Sequence, residues 1–104
     1  MTVDHELNEL KREFLDEALE KVGEMQSVLE AGKCDSASLE RLAYLAHQLK
    51  GSGGSYGYQR ISDHATDLEK TVESLADGDA LDKNIRSHVT NLRGEIEGGL
   101  KELR

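Results

Sequence analysis

Apolar residues recur at spacings of three and four along almost the whole chain, and no proline interrupts them. That period keeps one face of a helix dry, whereas a half-buried strand needs strict alternation. Four stripes can be read. The first, Leu7, Leu10, Phe14, Ala18, Val22, Met25 and Leu29, predicts a helix over about residues 3–31. Gly32 then suits an end cap, because glycine takes the left-handed conformation without a Cβ clash. Gly23, which costs up to about 1 kcal/mol relative to alanine in a helix interior, marks a candidate bend.

The second stripe, Leu39, Leu42, Leu45, Ala46 and Leu49, predicts a helix over about 37–55, behind Asp35 and Ser36, whose side-chain oxygens can accept the free amides of a helix start. Ile61, Ala65, Leu68, Val72 and Leu75 predict a third over about 58–76, stopping before Asp77-Gly78-Asp79. Leu81, Ile85, Val89, Leu92, Ile96, Leu100 and Leu103 predict a fourth over about 80–103, with fraying expected where Gly98 and Gly99 sit together. Short loops between long amphipathic helices favour antiparallel neighbours. The expected fold is all-α, an antiparallel up-down-up-down four-helix bundle forming a single domain over residues 1–104.

Composition narrows the function classes. A chain of 104 residues can bury about two-thirds of its unfolded surface, enough for one modest core. Thirteen basic against 21 acidic residues leave a net charge of −8 with no basic stripe, so a nucleic-acid backbone would be repelled. Apolar runs of two or three residues exclude a membrane-spanning helix, and the start of the chain lacks the basic and then apolar order of a secretory signal. The single Cys34 has no disulfide partner and reads as an incidental thiol in a reducing cytoplasm.

One stretch is not generic. Within Ala46-His47-Gln48-Leu49-Lys50-Gly51-Ser52-Gly53-Gly54-Ser55-Tyr56-Gly57-Tyr58, four of the ten glycines occupy seven positions of a helical pattern. Each interior glycine costs roughly 0.5–1 kcal/mol against alanine, so something other than helix propensity selects them. At about 100° per residue, with Leu42 at 0°, the stripe lies between about −60° and +60°, while His47 falls near 140°, Lys50 near 80°, Gly51 near 180° and Gly54 near 120°. His47 therefore points away from the core, with an ammonium one turn on, the small Ala43 one turn back and bare backbone nearby. An exposed neutral imidazole is a competent nucleophile, and a cation three residues away can balance a phosphoryl group. On these residues alone, an ordinary surface histidine beside a frayed helix end stays open.

His47-Gln48-Leu49-Lys50-Gly51-Ser52, followed by Tyr56-Gly57, resembles the signature of histidine-containing phosphotransfer domains. The resemblance extends over the chain through the helix pattern and is strongest over about residues 42–70. It implies a phosphorelay carrier without autonomous kinase activity. His47 would take a phosphoryl group from a receiver aspartate or a sensor or hybrid histidine kinase, and pass it to a response-regulator receiver. It also implies charge support from Lys50 and a docking surface cleared by Gly51 and Gly54. Tyr56 and Tyr58 around Gly57 are similar to the amino-terminal phosphotransfer domain of chemotaxis kinases, where a glutamate at the separation of Glu69 from His47 orients the ring. Ser52 is closer to stand-alone and hybrid-kinase carriers. Such a carrier needs no cofactor of its own, since the receiver brings magnesium; it is expected to be a cytoplasmic monomer that meets partners at Ala43, Tyr44, Gly51, Gly54 and Tyr58.

Other candidates are weaker. His5, His64 and His88 lack metal-ligand spacing and are expected at helix flanks. Asp77-Gly78-Asp79 is too short for a calcium loop and reads as a turn and cap. Lys50-Gly51-Ser52 reverses the order of a nucleotide-binding loop, and no strand precedes it. A different class also fits the charge and helix pattern: an acidic helical adaptor that carries no phosphate.

Overall fold

A computed structural model of the chain describes residues 3–32, 35–75 and 83–103. They form four helices: α1, Val3–Ala31; α2, Ser36–Ser55; α3, Gln59–Glu73; and α4, Lys83–Glu102. No strand occurs among the described residues. Packing joins α1 to α2, α2 to α3, α3 to α4 and α4 back to α1, with α2 and α3 in the most extensive contact and the diagonal pairs apart. This is an antiparallel four-helix bundle whose chain neighbours are also its spatial neighbours.

Each helix contributes its apolar stripe to one core. Leu42, Leu49, Leu68, Leu92 and Ile96 are fully buried at its centre. Local chemistry sets the ends. Gly32 adopts φ +70° and donates its N–H to the Leu29 carbonyl at 3.1 Å, closing α1. Asp35 Oδ1 accepts the Ser38 N–H at 2.8 Å and opens α2. Gly57, at φ +84°, turns the chain from α2 into α3.

The structure departs from the expected elements in four places. Leu7 and Leu10 are exposed rather than core, because α1 is longer than its partners: Arg12 already bonds the Leu103 carbonyl at the end of α4, so the preceding turns of α1 overhang the bundle. Leu15, outside the expected stripe, is fully buried. The third helix stops at Glu73 instead of 76, where the Ser74 N–H reaches back to Lys70 and Thr71 and its hydroxyl caps the Thr71 carbonyl at 2.7 Å. Finally, α4 does not fray at Gly98-Gly99. Gly99 is buried where a Cβ would meet Leu15 Cδ1 at 3.1 Å and Tyr58 Cε1 at 3.2 Å, so the glycine admits close packing. Gly23 lies within the unbroken α1. The expected cysteine loop at Cys34, the Asp77-Gly78-Asp79 turn, the start of the fourth helix at 80 and the core position Leu81 lie outside the described residues.

Candidate functional site

Five buried side chains of α2, Leu39, Leu42, Leu45, Ala46 and Leu49, determine its rotation about its own axis. His47 must then face outward, and its side chain is 66% exposed. On the facing flank of α3, Leu68 and Val72 turn inward and aim Glu69 at α2. Its side chain is only 14% exposed, and the carboxylate receives two groups. Oε2 lies 3.0 Å from His47 Nδ1, and Oε1 accepts a hydrogen bond from Lys50 Nζ at 2.9 Å.

The electrostatics of this trio assign the proton. The Lys50 hydrogen bond above all, joined by that of His47, holds the Glu69 carboxyl below the usual glutamate range against the opposing effect of burial. An ionised carboxylate only accepts, so in the neutral ring Nδ1 carries the hydrogen and donates it to Oε2. The lone pair is then left on Nε2 of a largely exposed side chain. Lys50 is half-buried and rests on Glu69 rather than extending into solvent.

The structure thus brings His47, Lys50 and Glu69 together, although 22 residues separate the first from the last. Around them, Ala43 lies one turn before His47 in a shallow groove it shares with Leu39, Val72 and Leu75. Gly51 and Gly54 are exposed about one and two turns after the histidine. Tyr44 is half-exposed on the flank toward α1, its hydroxyl accepting from Gln48 Nε2 at 2.8 Å and its ring lying 5.4 Å below the Arg41 guanidinium, which is itself paired with Glu24 of α1. Tyr58 is not brought to this face. Its ring stacks on Phe14 at 5.9 Å and lies against Gly99 of α4, where burial pushes its hydroxyl pKa up.

Two residues that the pattern reading did not single out matter here. Gly53 is buried where α2 crosses α3, and a Cβ on it would lie 3.1 Å from Ser62 N and 3.3 Å from the Tyr58 carbonyl oxygen. Gly51, by contrast, has nothing within 4 Å of an added Cβ, and Gly54 meets only Ser62 Oγ at 3.9 Å. The glycine cluster therefore has two causes, close helix packing at Gly53 and an open outer face at Gly51. The helical wheel already carried the distinction, since Gly53 falls about 20° from Leu42 on the core side. Ser62 is a polar residue buried on α3, with Oγ donating to the Lys50 carbonyl at 2.9 Å. It had no sequence signal beyond its position one residue after Ile61.

His64 and His88 are half-buried on α3 and α4, and no group of three or more His, Cys, Asp or Glu gathers as a metal site among the described residues. His5 lies where no side chain is described. No helix of the described residues is long and apolar enough to cross a membrane.

Comparison with known proteins bears on the family of the whole chain. No curated protein and no solved structure matches the chain. Residues 9–104, from the second turn of α1 to the end of the chain, match the family model of the Hpt domain. A four-helix bundle matched over nearly its whole length by that model, the chain belongs to the Hpt domain family, the histidine phosphotransfer carriers of two-component signalling.

Proposed function

We propose that His47 is the phosphoryl-carrying residue, exchanging its phosphoryl group with receiver-domain aspartates. The observation that supports this reading most is the pairing of an ionised Glu69 with Nδ1 of a histidine that is 66% exposed. It leaves Nε2 unprotonated and facing any docked partner. In the transfer, the Nε2 lone pair attacks the phosphorus of an aspartyl phosphate in line. The Nε2–P bond forms as the P–O bond to the aspartyl group breaks, and that group leaves as a carboxylate. The Nδ1 proton stays on the ring, and Glu69 stabilises the positive charge the ring gains. Lys50 then turns from Glu69 toward the phosphoryl oxygens, a short swing for a flexible ammonium.

Phosphoryl transfer depends mainly on positioning and charge, and the receiver brings magnesium and most of that charge. The chain supplies a preset nucleophile and a face clear enough for close approach, formed by Ala43, Tyr44, Gly51 and Gly54. Tyr58 serves this face indirectly, through the packing of the connection from α2 to α3. The carrier works as a cytoplasmic monomer, loaded by a receiver or by a sensor or hybrid histidine kinase, without kinase activity of its own.

The test is transfer of radiolabel from a phosphorylated receiver or histidine kinase to the wild type and to His47→Gln. Label that is acid-labile and alkali-stable on the wild type alone is expected. Equal labelling of both proteins would remove His47 from the reaction. Absence of label on a correctly folded wild type, across a panel of donors, would favour the adaptor that carries no phosphate.

A further inference from the structure

We propose that Ser62 is a positioning residue for His47, clamping α2 to α3 so that Glu69 stays within reach of the ring. The proposal rests on the carrier reading for its consequence in transfer, but its geometry stands independently. Helices α2 and α3 run antiparallel along one seam. At one level of the seam the Ser62 hydroxyl donates to the Lys50 carbonyl at 2.9 Å. Two turns further along α3, Glu69 meets Lys50 Nζ and His47 Nδ1.

The hydroxyl reaches the carbonyl because Gly53 has no Cβ. An atom there would sit 3.1 Å from Ser62 N and force the helices apart. Ser62 is itself held, since its N–H bonds the Tyr58 carbonyl at 3.1 Å and its carbonyl accepts the Thr66 hydroxyl at 2.8 Å. The apolar contacts of the seam resist separation of the two helices but are non-directional, and resist axial sliding less well. A hydrogen bond across the seam is directional. Its length restrains sliding, and a slip of one residue rise, about 1.5 Å, across the 3.0 Å contact between Nδ1 and Oε2 would stretch it to about 3.4 Å, past the usual range of about 2.7–3.2 Å, and tilt it off line. The buried hydroxyl thus maintains the register that keeps the proton on Nδ1 and the lone pair on Nε2.

The test compares Ser62→Ala with Val89→Ala, a core truncation on α4, whose backbone lies diagonally across the bundle from α2 and takes no part in the seam between α2 and α3. Two-bond nitrogen–proton correlations of the His47 imidazole report its tautomer, thermal melting reports stability, and transfer from a phosphorylated receiver reports function. Both variants are expected to melt earlier. Only Ser62→Ala is expected to move the ring toward the Nε2–H tautomer and to slow transfer about fivefold, the factor that one net hydrogen bond commands. A wild-type tautomer in Ser62→Ala, or an equal shift in Val89→Ala, would overturn the assignment. A tautomer shift in Ser62→Ala alone, with no phosphoryl uptake by any of the proteins, would uphold the clamp and reject the carrier reading.

Discussion

Substitution of Gly53 and Gly51 by alanine is expected to change stability in opposite directions. The two glycines are two residues apart on α2, and helix propensity alone would favour both changes by up to about 1 kcal/mol. At Gly53 the new Cβ would lie 3.1 Å from Ser62 N and 3.3 Å from the Tyr58 oxygen. Both are backbone atoms of α3 and its entry turn, and no side-chain rotation can move them. The helices would have to part by a few tenths of an ångström along their most extensive interface. Overpacking of this kind costs about 1–3 kcal/mol, so after a propensity gain of up to about 1 kcal/mol Gly53→Ala should destabilise by about 1 kcal/mol and by at most about 2 kcal/mol. For a domain of this size that corresponds to a melting temperature lower by roughly 5–15 °C. Gly51→Ala meets nothing within 4 Å and should stabilise by up to about 1 kcal/mol. Urea unfolding followed by far-ultraviolet circular dichroism measures both, as shifts in midpoint at an unchanged slope. If Gly53→Ala is as stable as Gly51→Ala, the close approach of α2 to α3 is not what excludes a side chain, and the packing argument fails.

Acid titration should reveal the Glu69 contacts. Its carboxyl is held down by Lys50 first and His47 second, and a group with a depressed folded pKa contributes stability that is present above its unfolded value and lost as pH falls through the folded one. Wild-type stability should therefore decline on the acid side of the ordinary glutamate range. Glu69→Gln should flatten that part of the profile, and an unchanged slope would mean that the carboxylate is not engaged in solution. At the start of α2, Asp35→Ala removes the acceptor 2.8 Å from the Ser38 N–H and should cost about 1 kcal/mol, measured as a lower urea midpoint. A cost near zero would show that the cap contributes nothing to the helix carrying His47.

The helical period of the apolar residues determined a great deal before any tertiary contact was considered. It is local: a leucine every third or fourth residue marks the dry side of a helix whatever that side packs against. It therefore placed α1 and α2 to within about a residue of their observed ends and turned His47 outward from Leu42, Leu45 and Leu49. Signals that depend on neighbours in space were less legible. Leu7 and Leu10 continue the stripe but are exposed, because only the relative lengths of α1 and α4 decide where the bundle stops.

The glycines divide along the same line. An abundance of small residues was visible in the sequence, but a glycine serving an open face and one serving a helix crossing have the same formula. Only the position of Ser62 against Gly53 and of Leu15 and Tyr58 against Gly99 separates them. The identity of the outward histidine and its lysine was written in the chain. The proton on Nδ1 and the engagement of Lys50 were decided by the tertiary structure, because hydrogen bonds form between atoms about 3 Å apart and the antiparallel return of α3 puts Glu69 at that distance.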